Sequence, residues 1–187
     1  MGTRRINNPK RPGAGARSGQ SLVESCVAIA IICLILMGLL QLSRIFTAQE
    51  ILDFAAGRAA RCRIVGFNEF MVYKTVRVAS IANAGRLVYP QVEGGPLAQR
   101  AIERANIPLY MGGMNGGQLP FLLDYENWSS VNYSMIEHSD PPMVRMNVRQ
   151  NYRIFTPVFR AFYSQDTMGM SGSSEMENHY PLYLEAQ

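Results

Sequence analysis

The most continuous hydrophobic stretch runs from Leu22 to Leu42. Within it, Cys26 to Leu40 contains no strongly polar side chain. As a helix, the 21 positions from 22 to 42 span about 31 Å at 1.5 Å per residue, the thickness of a bilayer core. Beyond the run the pattern becomes periodic. Ile45, Gln49, Leu52, Ala56, Ala59 and Arg63 recur at helical spacing with no proline between them. This predicts one long helix from about Ser21 to about Val65. Gly66 and Asn68 mark a break, and a second helix is expected from Glu69 to about Val88, ended by Tyr89-Pro90. Glu93 to Pro96 reads as a turn and Leu97 to Asn106 as a short helix. Met111 to Gln118 reads as a glycine-rich loop. It lacks the Gly-Lys-Ser/Thr ending that a phosphate-cradling loop requires.

The period then changes from 3.6 to two. Val131, Tyr133 and Met135 alternate with Asn132 and Ser134. After Pro141-Pro142, the residues Val144, Met146, Val148, Tyr152 and Ile154 alternate with Arg145, Asn147, Arg149, Asn151 and Arg153. Only Gln150 falls out of phase. One face of this strand is expected in a core and the other carries three arginines, as a solvated sheet face or as a contact for an acidic partner. Phe155 to Phe159 continues apolar, Thr167 to Ser174 reads as loop, and Tyr180 to Leu184 as a final strand. The expected fold class is α+β. A long N-terminal transmembrane helix continues into a small extracytoplasmic domain, with two or three antiparallel strands covering the helix's C-terminal half. The expected divisions are 1–19, 20–65 and 66–187.

Charge sharpens this picture. Residues 1–19 hold Arg4, Arg5, Lys10, Arg11 and Arg17 and no acid, leaving 13 basic and 14 acidic side chains in the rest of the chain. The net charge of +4 therefore belongs to the tail. A nucleic-acid-binding domain needs a basic patch on the folded part, so nucleic acid is not an expected partner. Positive charge beside a span stays cytoplasmic, which places the tail inside and residues 43–187 outside.

The apolar run is longer than the 7–15 residues of a removable secretory signal, and no small-residue cleavage pattern follows it. A plain signal-anchor leaves Glu24 unexplained. Gly19-Gln20-Ser21-Leu22-Val23-Glu24, running directly into the apolar segment, resembles the class III signal of type IV pilin-like proteins. Within that family it is similar to the TadE-like minor pseudopilins of the tight-adherence (Flp-type) pilus system. The span exit at Gly38, Arg44 and Phe46, the Ala/Arg-rich helix from Phe54 to Arg61, and the strand around Val144 to Val148 leading to Pro157 extend the likeness. The family often has an early proline in the membrane helix and a glutamate where Gln41 stands, and this chain has neither.

The resemblance implies a prepilin peptidase cut between Gly19 and Gln20 on the cytoplasmic side, which makes Glu24 the fifth mature residue. It implies a single-pass protein of the bacterial inner membrane, available for incorporation in a pilus. Its span would include Leu22, Cys26, Ile29, Cys33, Leu36 and Leu40. The implied partners are other pilin subunits, the prepilin peptidase, the inner-membrane assembly platform and membrane lipid, with adhesion or secretion downstream. Glu24 is the implied assembly contact, meeting the N-terminal amine of a neighbouring subunit and selecting the stagger between packed helices. Two plainer readings of Glu24 stand beside it. An acid in the first helical turn suits the helix dipole, and Ser21 with Glu24 fits a capping box.

Two alternatives share much of this sequence. One is an uncleaved single-pass protein with a binding or scaffold domain outside. The other is a type II secretion pseudopilin, which the weak match to a calcium-binding loop near the C terminus disfavours. Nothing marks an enzyme. His138, Asp140 and His179 lack metal-ligand spacing, no nucleophile elbow occurs, and no cofactor is expected. Cys26 and Cys33 share one face of the apolar helix as packing residues, and Cys62 could pair only between subunits. Arg58, Arg61 and Arg63 spread round their helix, as expected of a solvated helix with acidic partners.

Overall fold

The computed structural model describes residues 14–91, 94–113, 119, 121–139, 142–154 and 167–178. The chain divides into two units, Met1–Leu42 and Ser43–Gln187. Helix α1 (Ala14–Ile64) is 51 residues long, and the boundary between the units falls within it. It starts about two turns earlier than the expected Ser21, because Ala14 and Ala16 are good helix formers and no proline intervenes. Ser21 is therefore inside the helix and its backbone carbonyl accepts from Ser25 Oγ at 2.9 Å, so in this chain it is not a capping residue.

In the second unit α1 buries Ala48, Leu52, Ala55, Ala56, Ala59 and Ala60 on one stripe. The helix stops in a Schellman arrangement. Phe67 N–H donates to Cys62 O at 3.3 Å and Gly66 N–H to Arg63 O at 2.8 Å. Gly66 has φ +92°, a left-handed value that favours glycine. Helix α2 (Glu69–Ala79) then begins at Asn68, whose Oδ1 accepts from Met71 N–H at 3.0 Å. This is the side-chain cap that satisfies an orphan donor.

Helix α2 ends nine residues before the expected Val88. Ser80 caps it, a 3₁₀ turn follows at Ile81–Asn83, and Gly85 takes φ +83°. The remaining residues form strand β1 (Leu87–Tyr89), paired antiparallel with β2 (Asp124–Tyr125). Helix α3 (Pro96–Gly112) is longer than expected, running through Pro108 to the buried Tyr110. Pro108 removes one helical hydrogen bond, and burial of Tyr110 against Trp128, with ring centroids 5.4 Å apart, offsets it. Lys74 closes the end of α3. It is 1% exposed, and its Nζ donates to Met111 O at 2.6 Å and Gly113 O at 2.7 Å, over the Phe70 ring. A cation on the last carbonyls of a helix also complements its dipole. Burial lowers the Lys74 pKa from its ordinary value.

Strands β3 (Asn132–Ser139), β4 (Pro142–Arg153) and β5 (Thr167–Glu177) form an antiparallel sheet with β4 in the centre. The expected period-two face of β4 is buried at Val144, Met146 and Val148, each 0% exposed. Gln150 is in phase with them and not out of it. It is buried, and its Nε2 donates to Asn83 O at 3.2 Å. The stretch from Thr167 to Ser174, read as loop, is strand. Its small residues let β5 lie directly on α1, where Gln49 Nε2 donates to Ser171 O at 2.5 Å and Ser173 N–H donates to Asp53 Oδ1 at 3.0 Å. The α+β class and its antiparallel sheet are as expected. The leader to Gly13, Met114 to Gln118, Phe155 to Phe159 and Tyr180 to Leu184 lie outside the described residues.

Candidate processing and assembly segment

The residues singled out by sequence sit together on the first part of α1. Gly19 and Gln20 are exposed helical residues. A Cβ added at Gly19 would meet nothing within 4 Å. Glycine inside a helix costs about 0.5–1 kcal/mol relative to alanine, and among the described residues no close approach requires one at 19. Its presence therefore needs a reason outside the chain's own packing.

Glu24 stands four residues after Gln20, one turn along the same face. It is exposed, and among the described residues no cation lies within ion-pair distance. Neighbouring Ser25 differs, because its hydroxyl is satisfied by the carbonyl one turn back. Among the described residues from Gly19 to Leu42, Glu24 is the one charged side chain.

Around these residues the helix is apolar and bare. Among the described residues, one helix, Gly19–Ile64, is long and apolar enough to cross a membrane, and none of its most apolar window is buried. Leu22, Ile29, Leu36 and Leu40 are 66%, 61%, 54% and 60% exposed, and Cys26 and Cys33 are exposed free thiols. These six positions advance by four and three residues in turn, the spacing that keeps one seam of a helix facing a partner helix. Exposed apolar surface on this scale belongs against lipid or protein.

The remaining candidates are dispersed. Cys62 is half-buried and accepts from Thr75 Oγ1 at 3.6 Å. Arg63 pairs with Glu137 at 2.6 Å, the acidic partner expected of that helix, while Arg58 lies 6.0 Å from the centroid of the Phe54 ring. His138 is exposed on β3, and Asp140 and His179 lie outside the described residues. Sequence reading did not single out Lys74. A lone lysine in the apolar stretch of α2, at i+2 from Val72 and i−2 from Val76, is the signal that could have found it.

The arrangement defines a class: an α+β protein with a long apolar helix, near whose N-terminal end stand a glycine and an acid that has no ion-pair partner among the described residues. Residues 19–61 match the family described as TadE-like protein. The match covers less than a quarter of the chain, and over this segment the chain resembles TadE-like proteins; the segment includes the part of α1 that is apolar and long enough to cross a membrane. No curated protein matches the chain, and no solved structure does.

Proposed function

We propose that this chain is a minor pilin, or pseudopilin, that takes part in assembling a tight-adherence pilus. It sits in the inner membrane with residues 1–19 in the cytoplasm and residues 43–187 outside. Prepilin peptidase cuts between Gly19 and Gln20. The observation that carries this reading is the bare apolar helix bounded by Gly19 and Glu24, within a segment that matches the TadE-like family.

The physical role of the cut follows from Glu24. A carboxylate carried into hydrocarbon costs about 2.5–3.5 kcal/mol unless it finds a partner. Cleavage creates one, the α-amino group of Gln20, which is cationic near neutral pH. It lies about 6 Å along the helix axis from Glu24. When helices pack along the seam from Leu22 to Leu40, the amine of one subunit can meet the carboxylate of the next at only a few staggers. A buried pair of this kind specifies register more than it adds stability. Prepilin peptidase, sister subunits and the assembly platform are then the partners.

The test is the mature N terminus, read by intact mass in cells with and without active prepilin peptidase. A chain beginning at Gln20 only when the peptidase is active is the expected result. A chain that keeps residues 1–19 in both backgrounds refutes the proposal and leaves an uncleaved single-pass anchor.

A further inference from the structure

The three arginines on the outer face of β4 are not equivalent. Arg145 faces Glu175 across the sheet, with a 3.2 Å ion pair, and Arg153 lies 3.9 Å from Glu126. Arg149, the middle one, faces Ser171 on β5 and Asn132 on β3. Among the described residues no carboxylate is within ion-pair distance of it. Glu175 within the sheet and Glu126, just after β2, face the two outer cations, and among the described residues no carboxylate faces the central one.

That central cation lines a cavity of about 530 Å³, within the usual size range of small-molecule sites. Ser130, Asn132, Asn151 and Ser171 line it with Arg149, and Gly169, opposite Asn151, contributes no side chain. Gln150, next along β4, turns its amide to the opposite, buried face, where Nε2 donates to Asn83 O. The lining thus offers one guanidinium, the amides of Asn132 and Asn151, and the hydroxyls of Ser130 and Ser171, of which Ser130 Oγ donates to Asn127 O at 2.7 Å.

We propose that this cavity binds an acidic sugar, a hexuronate or its like, with the carboxylate on Arg149. The planar guanidinium matches a carboxylate in two parallel hydrogen bonds. Amide and hydroxyl side chains both donate and accept, which is what a ring of vicinal hydroxyls needs. A phosphate fits less well, since a single cation meets its double charge. A protein carboxylate fits less well too, because protein interfaces centre on apolar or aromatic anchors, and the one large apolar residue at the cavity, Met170, is 7% exposed.

The experiment titrates the full chain in detergent micelles with glucuronate, glucose, acetate and a glutamate-rich peptide, read by calorimetry. Expected is saturable glucuronate binding at least tenfold tighter than that of the other three. Arg149→Gln should weaken it tenfold or more, and Arg145→Gln should leave it within twofold. Ser171→Glu places a carboxylate opposite Arg149, as Glu175 stands opposite Arg145. It should abolish binding while the chain keeps its circular dichroism spectrum and melting temperature. Glucuronate that fails to bind, or that binds equally to Arg149→Gln and Ser171→Glu, overturns the proposal. Acetate or peptide binding as tightly as glucuronate overturns the sugar assignment.

Discussion

Gly172 is where β5 comes closest to α1, and replacing it tests how the sheet is seated. A Cβ built at this position falls among the backbone atoms of Leu52 and Asp53, 2.5 Å from the Leu52 carbonyl oxygen. The obstruction is main chain, not the end of a flexible side chain, so the strand itself must move. Overpacking in a filled core costs about 1–3 kcal/mol. Moving β5 also loosens two hydrogen bonds on either side of the glycine, Gln49 Nε2 to Ser171 O and Ser173 N–H to Asp53 Oδ1. The first is worth about 1 kcal/mol and the second, to a charged acceptor, about 1.5–3 kcal/mol. Full loss of both bonds on top of the overpacking would total about 3.5–7 kcal/mol; because the bonds are loosened and not lost, Gly172→Ala should destabilise the 43–187 unit by about 3–5 kcal/mol. For a unit of this size that lowers the melting temperature by roughly 10 °C. Gly169→Ala on the same strand is the control, because its Cβ would meet only Asn151 Oδ1 at 3.9 Å, and it should melt within about 2 °C of the parent. Thermal unfolding of the full chain in detergent, followed by near-ultraviolet circular dichroism, reads both. Equal melting temperatures for Gly172→Ala and the parent would refute the close seating of β5 on α1.

Three further outcomes follow from the same packing. Lys74→Met strips Met111 O and Gly113 O of a charged donor and should cost about 2 kcal/mol in urea unfolding after the removed burial of a cation is set against it. Because burial lowers the Lys74 pKa, its charged form is disfavoured in the fold. The parent should gain stability as pH rises from the lowered value toward 10.5, and the variant should not. Tyr133 is pushed up to about 12 by burial and by Glu69, whose Oε1 accepts from its hydroxyl at 3.3 Å. The native state then holds a proton between pH 10 and 12 that the unfolded state releases. Stability should fall as pH rises through that window, and Tyr133→Phe should flatten the fall in urea titrations across it. Met146→Ala opens a cavity at a fully buried position of β4 and should cost about 2–5 kcal/mol by the same unfolding assay.

Where side chains carry the period, the fold was legible. Val144, Met146 and Val148 read as a buried strand face and are one. The apolar run, the long helix and its end at Gly66 were equally plain. Residues that act through backbone proximity or polar burial were not. Thr167 to Ser174 looked like loop because glycine and serine give no hydrophobic signal, yet their smallness is what admits the α1 backbone. Gln150 looked like a break in alternation because its amide works by reaching Asn83 from the inside. The helix drawn to Val88 stops at Ala79, where Ser80 caps it ahead of a 3₁₀ turn and Gly85 then takes a left-handed φ, while α3 passed Pro108 because Tyr110 is anchored beyond it. Gly19 and Glu24 were visible as a motif. The bareness of the helix around them is what the structure adds.

The burial of Lys74 has a practical consequence for chemical labelling. The chain has two lysines, Lys10 and Lys74. Lys74 is sealed beneath α3 with its ammonium committed to two carbonyls. If the leader is removed, Lys10 goes with it, and the folded subunit presents one reactive primary amine, the α-amino group of Gln20. A water-soluble acylating reagent then attaches at most one tag per folded molecule, at the end of the membrane helix. A second tag appears only when α3 lets go, so tag count alone distinguishes a native subunit from one whose outer domain has opened.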